Sequence, residues 1–360
     1  MYPILIAGAG NIGKLIACLL AESGSYKVYL SDINLSHLPK NALGTQKSNI
    51  EFIEFDATDK AMFGQIVGKT QIKAVVCALP YFCNVAVAES AREHHLHYFD
   101  LTEDTYASEK VSELAANADA AFVPQCGLAP GFVSIVANEY MHRFDKIQDV
   151  LMRVGALPQH ANNQLKYSLT WSTEGVINEY GNPCYALVGG ETVPLQPLEG
   201  LEQVEIDGMV YEAFNTSGGL GTLVFSFKHK VDTMNYKTLR YPGHCHQMKF
   251  LMNDLKLNED RSTLQNILEN ALGKTKQDVV IIYVAVKGIQ NEELMEETFV
   301  KKIYPQKIAG KMWSAIQVTT ASSLCAVVDK ITQESPKGLV LQESIPLAAI
   351  TDNRFGQCYR

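Results

Sequence analysis

Gly8-Ala9-Gly10-Asn11-Ile12-Gly13 forms a GxGxxG stretch directly after an apolar run and directly before a helix-like pattern. That context, more than the glycines themselves, points to a dinucleotide-binding turn. Gly8 permits the tight bend, Gly10 lets backbone approach a pyrophosphate, and Gly13 lets the helix sit close to the strand. Asn11 and Ile12 open a helix whose free N–H groups and positive dipole end suit a phosphate. Asp32 stands about 20 residues further on, where a carboxylate hydrogen-bonds the adenosine ribose. It repels a 2′-phosphate, and Ile33-Asn34-Leu35-Ser36 contain no arginine. The expected cofactor is therefore NAD, with NADP the less favoured. The bland alternative for Asp32 is a surface residue opening a loop. Asp56 and Ala57 follow a third apolar run; Asp56 either reaches the adenine edge or caps a helix. Leu79-Pro80-Tyr81 follows a fourth, on the carboxyl side where nicotinamide and substrate should meet.

The second half of the chain holds a denser polar set than a passive sheet needs. Arg153 sits in an apolar run, and Trp171, Ser172, Thr173 and Glu174 follow another. Asn215-Thr216-Ser217-Gly218-Gly219 is a turn able to present backbone amides. Lys237, Arg240 and His244 place three basic side chains within one short segment. Arg240 shares a strand face with Thr238. Its guanidinium either grips a substrate carboxylate bidentately or forms an ordinary salt bridge.

Other patterns fail on spacing. Gly68-Lys69-Thr70 and Gly273-Lys274-Thr275 resemble the end of a P-loop, but Phe63 and Leu268 occupy the place of its first glycine. His244-Cys245-His246 has no second ligand pair at zinc spacing, so no metal is expected. The 360 residues carry Lys+Arg 31 against Asp+Glu 39, a net charge of −8. Nucleic acid is not expected as a main partner of such a chain. No apolar run reaches the roughly 18 residues of a membrane span, so no membrane partner is expected either. The eight cysteines are scattered without a CxxC. Together with an N-terminus that lacks a basic start and cleavage site, they suggest reduced thiols in the cytoplasm.

These residues need elements to hold them. Ile4 to Ala7, Lys27 to Ser31, Glu51 to Phe55, Ala74 to Ala78, Tyr98 to Leu101 and Ala121 to Pro124 read as buried strands. Helical patterns alternate with them, including Asn84 to Glu93 and Tyr106 to Ala118. Such alternation means parallel βαβ units. From Cys126 the pattern changes. A helix is expected over Phe132 to Arg143. Strands are expected over Val150 to Val154, Lys166 to Trp171, Tyr185 to Val188, Val204 to Ile206, Met209 to Phe214 and Val279 to Val286. Further helices fall near His246 to Leu255, Ser262 to Leu272 and Trp313 to Ile331. The expected class is α/β: a Rossmann doubly wound parallel sheet plus a second α+β domain with a mixed, largely antiparallel sheet. The expected boundaries are 1–126, 127–312 and 313–360.

Several segments resemble the saccharopine dehydrogenase family across nearly the whole chain. They are the glycine turn, Tyr98-Phe99-Asp100-Leu101, the joint Gly127-Leu128-Ala129-Pro130-Gly131, and Met152 to Pro158. Glu179-Tyr180, Glu212 to Gly219 and Lys237-Thr238-Leu239-Arg240-Tyr241-Pro242-Gly243-His244 extend the match. Within the family they look closest to the lysine 6-dehydrogenase branch. Ala129 stands where the saccharopine-cleaving branch commonly has an acidic residue. The resemblance implies a Rossmann domain, a substrate and dimerisation domain, a C-terminal stretch that returns to the first domain, and a homodimer. It also implies NAD(P)-dependent hydride transfer at a C–N bond of an amino acid through an imine. The alternatives are another amine, such as a carboxynorspermidine-type polyamine precursor, or a dinucleotide sensor without turnover.

That chemistry needs a base to neutralise the amine before hydride leaves. Asp100, at the end of the fifth strand, and His244 are the candidates. Cys126, at the joint, is either near the reacting centre or simply a buried thiol. His244 is equally readable as a helix-start residue. Arg240, Thr216 and Glu174 are expected to hold the substrate's α-carboxylate and α-amino group, with Tyr81 and Trp171 beside them.

Overall fold

The computed structural model describes residues 1–36, 38, 43 and 48–360, and the chain divides into two compact units. Unit one comprises Met1–Ile135, Lys307–Trp313 and Gln317–Arg360, and unit two comprises Val136–Gln306 and Ser314–Ile316.

In unit one, strand β1 (Tyr2–Ala7) leads through the glycine turn into helix α1 (Asn11–Glu22). Then follow β2 (Tyr26–Asp32), β3 (Ile50–Glu54), α2 (Lys60–Thr70), β4 (Ala74–Cys77), α3 (Asn84–Glu93), β5 (His97–Asp100), α4 (Thr105–Ala115) and β6 (Ala121–Val123). Ile4, Leu5, Ile6 and Ala7 are wholly buried, as a central parallel strand covered on both faces requires. Helix α2 starts at Asp59, whose carboxylate accepts the N–H groups of Ala61 and Met62, and stops at Gln71 in left-handed backbone. Helix α5 (Phe132–Met141) begins the passage into unit two.

Unit two is a mixed sheet under helices. Its elements are β7 (Lys146–Pro158), α6 (Thr173–Gly181), β8 (Cys184–Val188), β9 (Glu191–Leu195), β10 (Glu202–Ile206), β11 (Met209–Asn215), the short α7 (Leu223–Ser226) and β12 (Val231–Arg240). Then come α8 (His244–Lys249), continued by one π turn to Asp254, α9 (Arg261–Ala271), β13 (Asp278–Gln290) and β14 (Glu293–Ile303). The main path runs β10-β11-β12-β7-β13-β14, with β8 and β9 branching from β12. Only β7 and β12 pair in parallel; the other neighbours are antiparallel. Gly155 is where β7 passes β12 closely, since a Cβ there would lie 2.8 Å from Leu239. Helices α6, α8 and α9 bury Val176, Ile177, Tyr180, Met248, Leu264 and Leu268 with Phe214 of the sheet.

The chain then forms the two-stranded β15 (Gln306–Ile308) and β16 (Lys311–Trp313), helix α10 (Ala315–Glu334) and the short β17 (Gly338–Leu339). The carboxylate of Asp278 accepts the first N–H groups of α10, from Ala315 at 2.6 Å and Ile316 at 3.0 Å. Strand β17 completes the unit-one sheet, ordered β17-β6-β5-β4-β1-β2-β3 and parallel throughout. The expected fold class is the observed one.

One expected strand is absent. Lys166 to Trp171 is irregular, with a single bridge from Leu169 to Lys274. Lys166 adopts left-handed backbone. The Asn163 side chain bonds both the N–H and the carbonyl of Tyr167, occupying groups a ladder would need. Among the described residues no helix is long and apolar enough to cross a membrane.

Candidate functional site

In unit one, strand order reverses around β1, which lies between β2 and β4. Ligands of open α/β sheets bind outside the carboxyl ends at such a switch point. Gly8 sits there at φ +108, and a Cβ on it would lie 2.7 Å from the Ala78 carbonyl oxygen. A Cβ on Gly13 would collide with the Gly8 carbonyl. Gly10 differs: among the described residues nothing stands within 4 Å of its Cβ direction. It begins α1, whose start has no side-chain cap and no acidic residue in its first turn. Asn11 is exposed and Ile12 half-buried beside it. Two glycines thus close the turn, while the third keeps open space over uncapped amides. That cradle fits a dinucleotide pyrophosphate.

Asp32 ends β2 at the same edge. Its Oδ2 accepts the Ala9 N–H at 2.8 Å, so the acid also braces the glycine turn. The N–H of Leu35 is bonded to Glu54, which holds the following loop. Asp56 is exposed and closes a turn on Thr58, which keeps its carboxyl below the ordinary range. Ala57 beside it is buried, and Asp59 is the residue that caps α2. Leu79 is half-buried and Pro80 exposed after β4. Tyr81 is exposed and packs edge-on against Phe82.

Asp100 is wholly buried at the end of β5. Its Oδ1 accepts the N–H groups of Thr102 (3.1 Å) and Gln125 (2.9 Å), and its Oδ2 accepts the Tyr98 hydroxyl (3.0 Å). Burial pushes its pKa up to about 6 against these donors. Cys126 is equally buried; its thiol faces the Val123 carbonyl, and Gln342 donates to its sulfur. Burial also raises this thiol well above the ordinary range, where it stays protonated.

The Asp100 carboxyl group offers a test. Its folded pKa lies above the ordinary 3.8, so its contribution to stability is fullest below pH 4 and is lost as pH rises through about 6. An asparagine keeps one oxygen for both amides and turns its NH2 toward Tyr98. Asp100→Asn should therefore gain stability over the parent between pH 4 and 7, by on the order of 2 kcal/mol. Urea unfolding at the two pH values measures it; an equal effect at both would refute the assignment.

In unit two, Arg240 ends β12 with 2% exposure. Its Nε donates to the Tyr180 hydroxyl at 2.7 Å, and its Nη1 to Thr238 Oγ1 and the Leu239 carbonyl. Nη2 faces Glu179 Oε2 at 3.9 Å, too far for a hydrogen bond. The Tyr180 hydroxyl lies 3.0 Å from His244 Nε2, and His244 Nδ1 lies 2.7 Å from the Leu165 carbonyl. A carbonyl only accepts, so Nδ1 carries the proton and Nε2 accepts from Tyr180. Burial and Arg240 push the His244 pKa down to about 3, so the ring is neutral. Glu212 holds α8 in place by accepting the N–H groups of Gly243 and Cys245. The neighbouring cations are already engaged: Arg153 and Lys237 both pair with Glu202.

Glu179, which is not among the expected site residues, lies beside Arg240. It is buried on α6, and burial outweighs Arg240 to push its pKa up to about 7. Among the described residues its Oε2 has no hydrogen-bond partner, and neither has Thr216 Oγ1. The Tyr167 ring lies 5.1 Å from the Arg240 guanidinium, and the Glu179 carbonyl accepts the N–H of Ser217, next to Thr216. Glu174, the expected carboxylate, is exposed in the first turn of α6. Trp171 is half-buried and lies against the bare backbone of Gly175. A separate hollow of about 470 Å3, lined by His160, Asn163, Ser168, Lys274 and Gln277, contains none of the expected site residues.

Comparison with known proteins matches both units. The family described as saccharopine dehydrogenase NADP binding domain matches residues 4–123, and the saccharopine dehydrogenase C-terminal domain matches residues 127–353. An alpha-aminoadipic semialdehyde synthase of Arabidopsis thaliana is 24% identical over 75% of this chain, and a saccharopine dehydrogenase [NADP(+), L-glutamate-forming] of Schizosaccharomyces pombe is 25% identical over 68%. The matched stretches span 28% and 57% of those proteins' own lengths. Among solved structures, an apo saccharopine dehydrogenase (L-Glu forming) from Saccharomyces cerevisiae superposes with TM-score 0.76 at 17% identity, covering 98% of this chain and 96% of that one. A homospermidine synthase from Legionella pneumophila in complex with NAD gives 0.70 at 13% identity, covering 99% and 89%.

Proposed function

Because the chain belongs to the saccharopine dehydrogenase family, we propose that it is an NAD-dependent oxidoreductase acting on a C–N bond of an amino acid. The observation that carries this reading is a pair of buried polar atoms without a hydrogen-bond partner among the described residues: Glu179 Oε2, beside Arg240, and Thr216 Oγ1, next to the Ser217 whose N–H bonds the Glu179 carbonyl. Buried polar groups are nearly always hydrogen-bonded, so a pair of exceptions calls for a ligand or water. Arg240 Nη2 and Glu179 Oε2 offer one positive and one negative group side by side. That pattern complements the carboxylate and ammonium of an amino acid. Tyr180, bonded to both Arg240 and His244, fixes the direction of the guanidinium.

A bound nicotinamide dinucleotide supplies the hydride acceptor. Gly8, Gly10 and Gly13 would hold its pyrophosphate, and Asp32 its ribose. Asp32 also sets the choice of NAD, since its carboxylate disfavours a 2′-phosphate. Asp56, Ala57, Leu79 and Pro80 complete the proposed cofactor edge, and Tyr81 belongs to the substrate side. The amine must lose a proton before hydride leaves its carbon. Glu179, with an unoccupied oxygen and a pKa near neutrality, is the residue suited to take it. Asp100, His244 and Cys126 are positioning residues in this reading. The carboxylate ties β5 to the chain beyond β6, the imidazole braces Tyr180, and the thiol stays protonated.

The test is absorbance at 340 nm with NAD and then NADP against lysine, saccharopine and carboxynorspermidine. NADH formation with an amino acid is the expected result. Replacing Asp32 by alanine should raise the KM for NAD about 10- to 100-fold, the worth of a charge-assisted hydrogen bond or two. It should narrow the gap to NADP. Preference for NADP in the unaltered protein would overturn the role of Asp32. Silence with every amine, while NAD binds by calorimetry, would overturn the catalytic reading.

A further inference from the structure

The hollow of about 470 Å3 in unit two has no part in the reaction proposed above. One wall is the chain that leaves β7, from Pro158 to Ser168, and the other is the turn between α9 and β13. Hydrogen bonds stitch the walls together. Gln159 donates its N–H to the Gln277 carbonyl (2.8 Å) and its side-chain amide to the Asp278 carbonyl (2.8 Å). Leu169 donates to the Gly273 carbonyl (3.0 Å), and the Gln277 N–H to Thr275 Oγ1 (3.0 Å). The shape is therefore set before any ligand arrives, as in most small-molecule sites.

The lining is one-sided in charge. Lys274 and His160 stand there with Asn162, Ser168, Thr275 and Gln277, and among the described residues no Asp or Glu joins them. Yet acids outnumber bases 39 to 31 in the chain. The side chains of His160, Asn162, Ser168, Lys274 and Gln277 make no hydrogen bond or ion pair among the described residues. The carbonyl end of α9 reaches the same place and opposes an anion. Its Leu268 carbonyl is taken by the Leu272 N–H, and the Gly273 carbonyl by Leu169. What remains is an ammonium, an imidazole, two amides and two hydroxyls around open space. A carboxylate is best met by the planar fork of an arginine, whereas a phosphate accepts a lysine as a point charge with neutral donors around it.

We propose that this hollow is a phosphate-binding site, separate from the glycine turn and from Arg240. Lys274 supplies its charge, and the neighbouring amides and hydroxyls supply neutral donors. The ligand is either the free ion or the phosphate of a small hydroxylated molecule, whose polar body suits the polar lining. The site is built on a segment that also serves Arg240. Asn163 lines the hollow and grips the Tyr167 backbone, and the Tyr167 ring lies 5.1 Å from the Arg240 guanidinium.

Titration calorimetry on the full chain tests this, with saturating NAD to fill the glycine turn and chloride to fix the ionic strength. The probes are inorganic phosphate and glucose 6-phosphate. The unaltered protein should bind at least one of them at a single saturable site. Lys274→Gln should weaken that binding about tenfold or more, the worth of one charge-assisted hydrogen bond. Lys274→Glu should abolish it. Lys276→Gln, which removes an exposed cation outside the lining, should leave it unchanged. Lys274 is exposed and unpaired among the described residues, so its variants should unfold at the parent's temperature without phosphate, which separates lost binding from lost fold. Tighter binding of glucose 6-phosphate assigns the site to a phosphorylated small molecule, and equal or weaker binding assigns it to the free ion. No saturable binding by the parent, or equal binding by the parent and Lys274→Gln, would overturn the proposal. Heat is read and not turnover, so the result stands whichever amine the protein oxidises.

Discussion

Replacing Arg240 by alanine should lower kcat/KM for the amino-acid substrate by about 30- to several-thousand-fold, the 2–5 kcal/mol of a buried charge pair truncated on one side. The same change should lower stability. Tyr180 loses the donor on its hydroxyl, and Glu179 loses its neighbouring cation. Breaking a buried pair in this way costs about 3–5 kcal/mol when the remaining charge stays ionised. Glu179 escapes part of that cost by holding its proton, so the loss should be smaller at pH 6 than at pH 8. Arg240→Lys keeps the charge but not the planar fork, and should recover stability better than activity. Kinetics and urea unfolding on both variants separate the two effects. An alanine variant that is less stable but has unchanged kcat/KM would leave Arg240 a purely structural residue.

Replacing Glu179 by glutamine should reduce kcat about 100- to 10,000-fold, the usual worth of a positioned base. The acid limb of the pH–rate profile should disappear with it. The stability change should run the other way. A carboxyl whose folded pKa, about 7, exceeds its ordinary 4.5 contributes most below pH 4.5, and that contribution is lost as pH rises through 7. Glutamine has no proton to lose, so the variant should gain on the parent as pH rises from 5 to 8. Loss of activity with this gain is the signature of a residue retained for chemistry. An unchanged acid limb would return the role of base to another group.

The cofactor unit was legible because its signals are local. A glycine turn, buried β runs and helix caps lie within a few residues of the atoms they control, and the structure follows their spacing. Asp32 does end β2, and its carboxylate accepts the Ala9 N–H of the glycine turn, a bond the spacing alone did not announce. Unit two was harder. Its strands pair across long separations, as β7 does with both β12 and β13, and no short-range pattern announces that. The reading of Lys166 to Trp171 as a strand had a further cost. It hid helix α6, although Thr173, Val176, Ile177 and Tyr180 mark one helical face. With that helix unseen, Glu174 was the nearest acid to Trp171. The acid beside Arg240 is Glu179, next to Tyr180 on the buried side of α6. Arg240 and Thr238 read from sequence as sharing a strand face, and Arg240 Nη1 does donate to that hydroxyl.

The sheet of unit one is not built in chain order. Its seventh strand, β17, pairs with β6 but is encoded after the whole of unit two. A chain emerging from a ribosome therefore makes six strands early and must wait for the last. Until then the β6 edge stays bare, an invitation to wrong partners. Unit one is thus begun before unit two and finished after it, and its assembly waits on unit two.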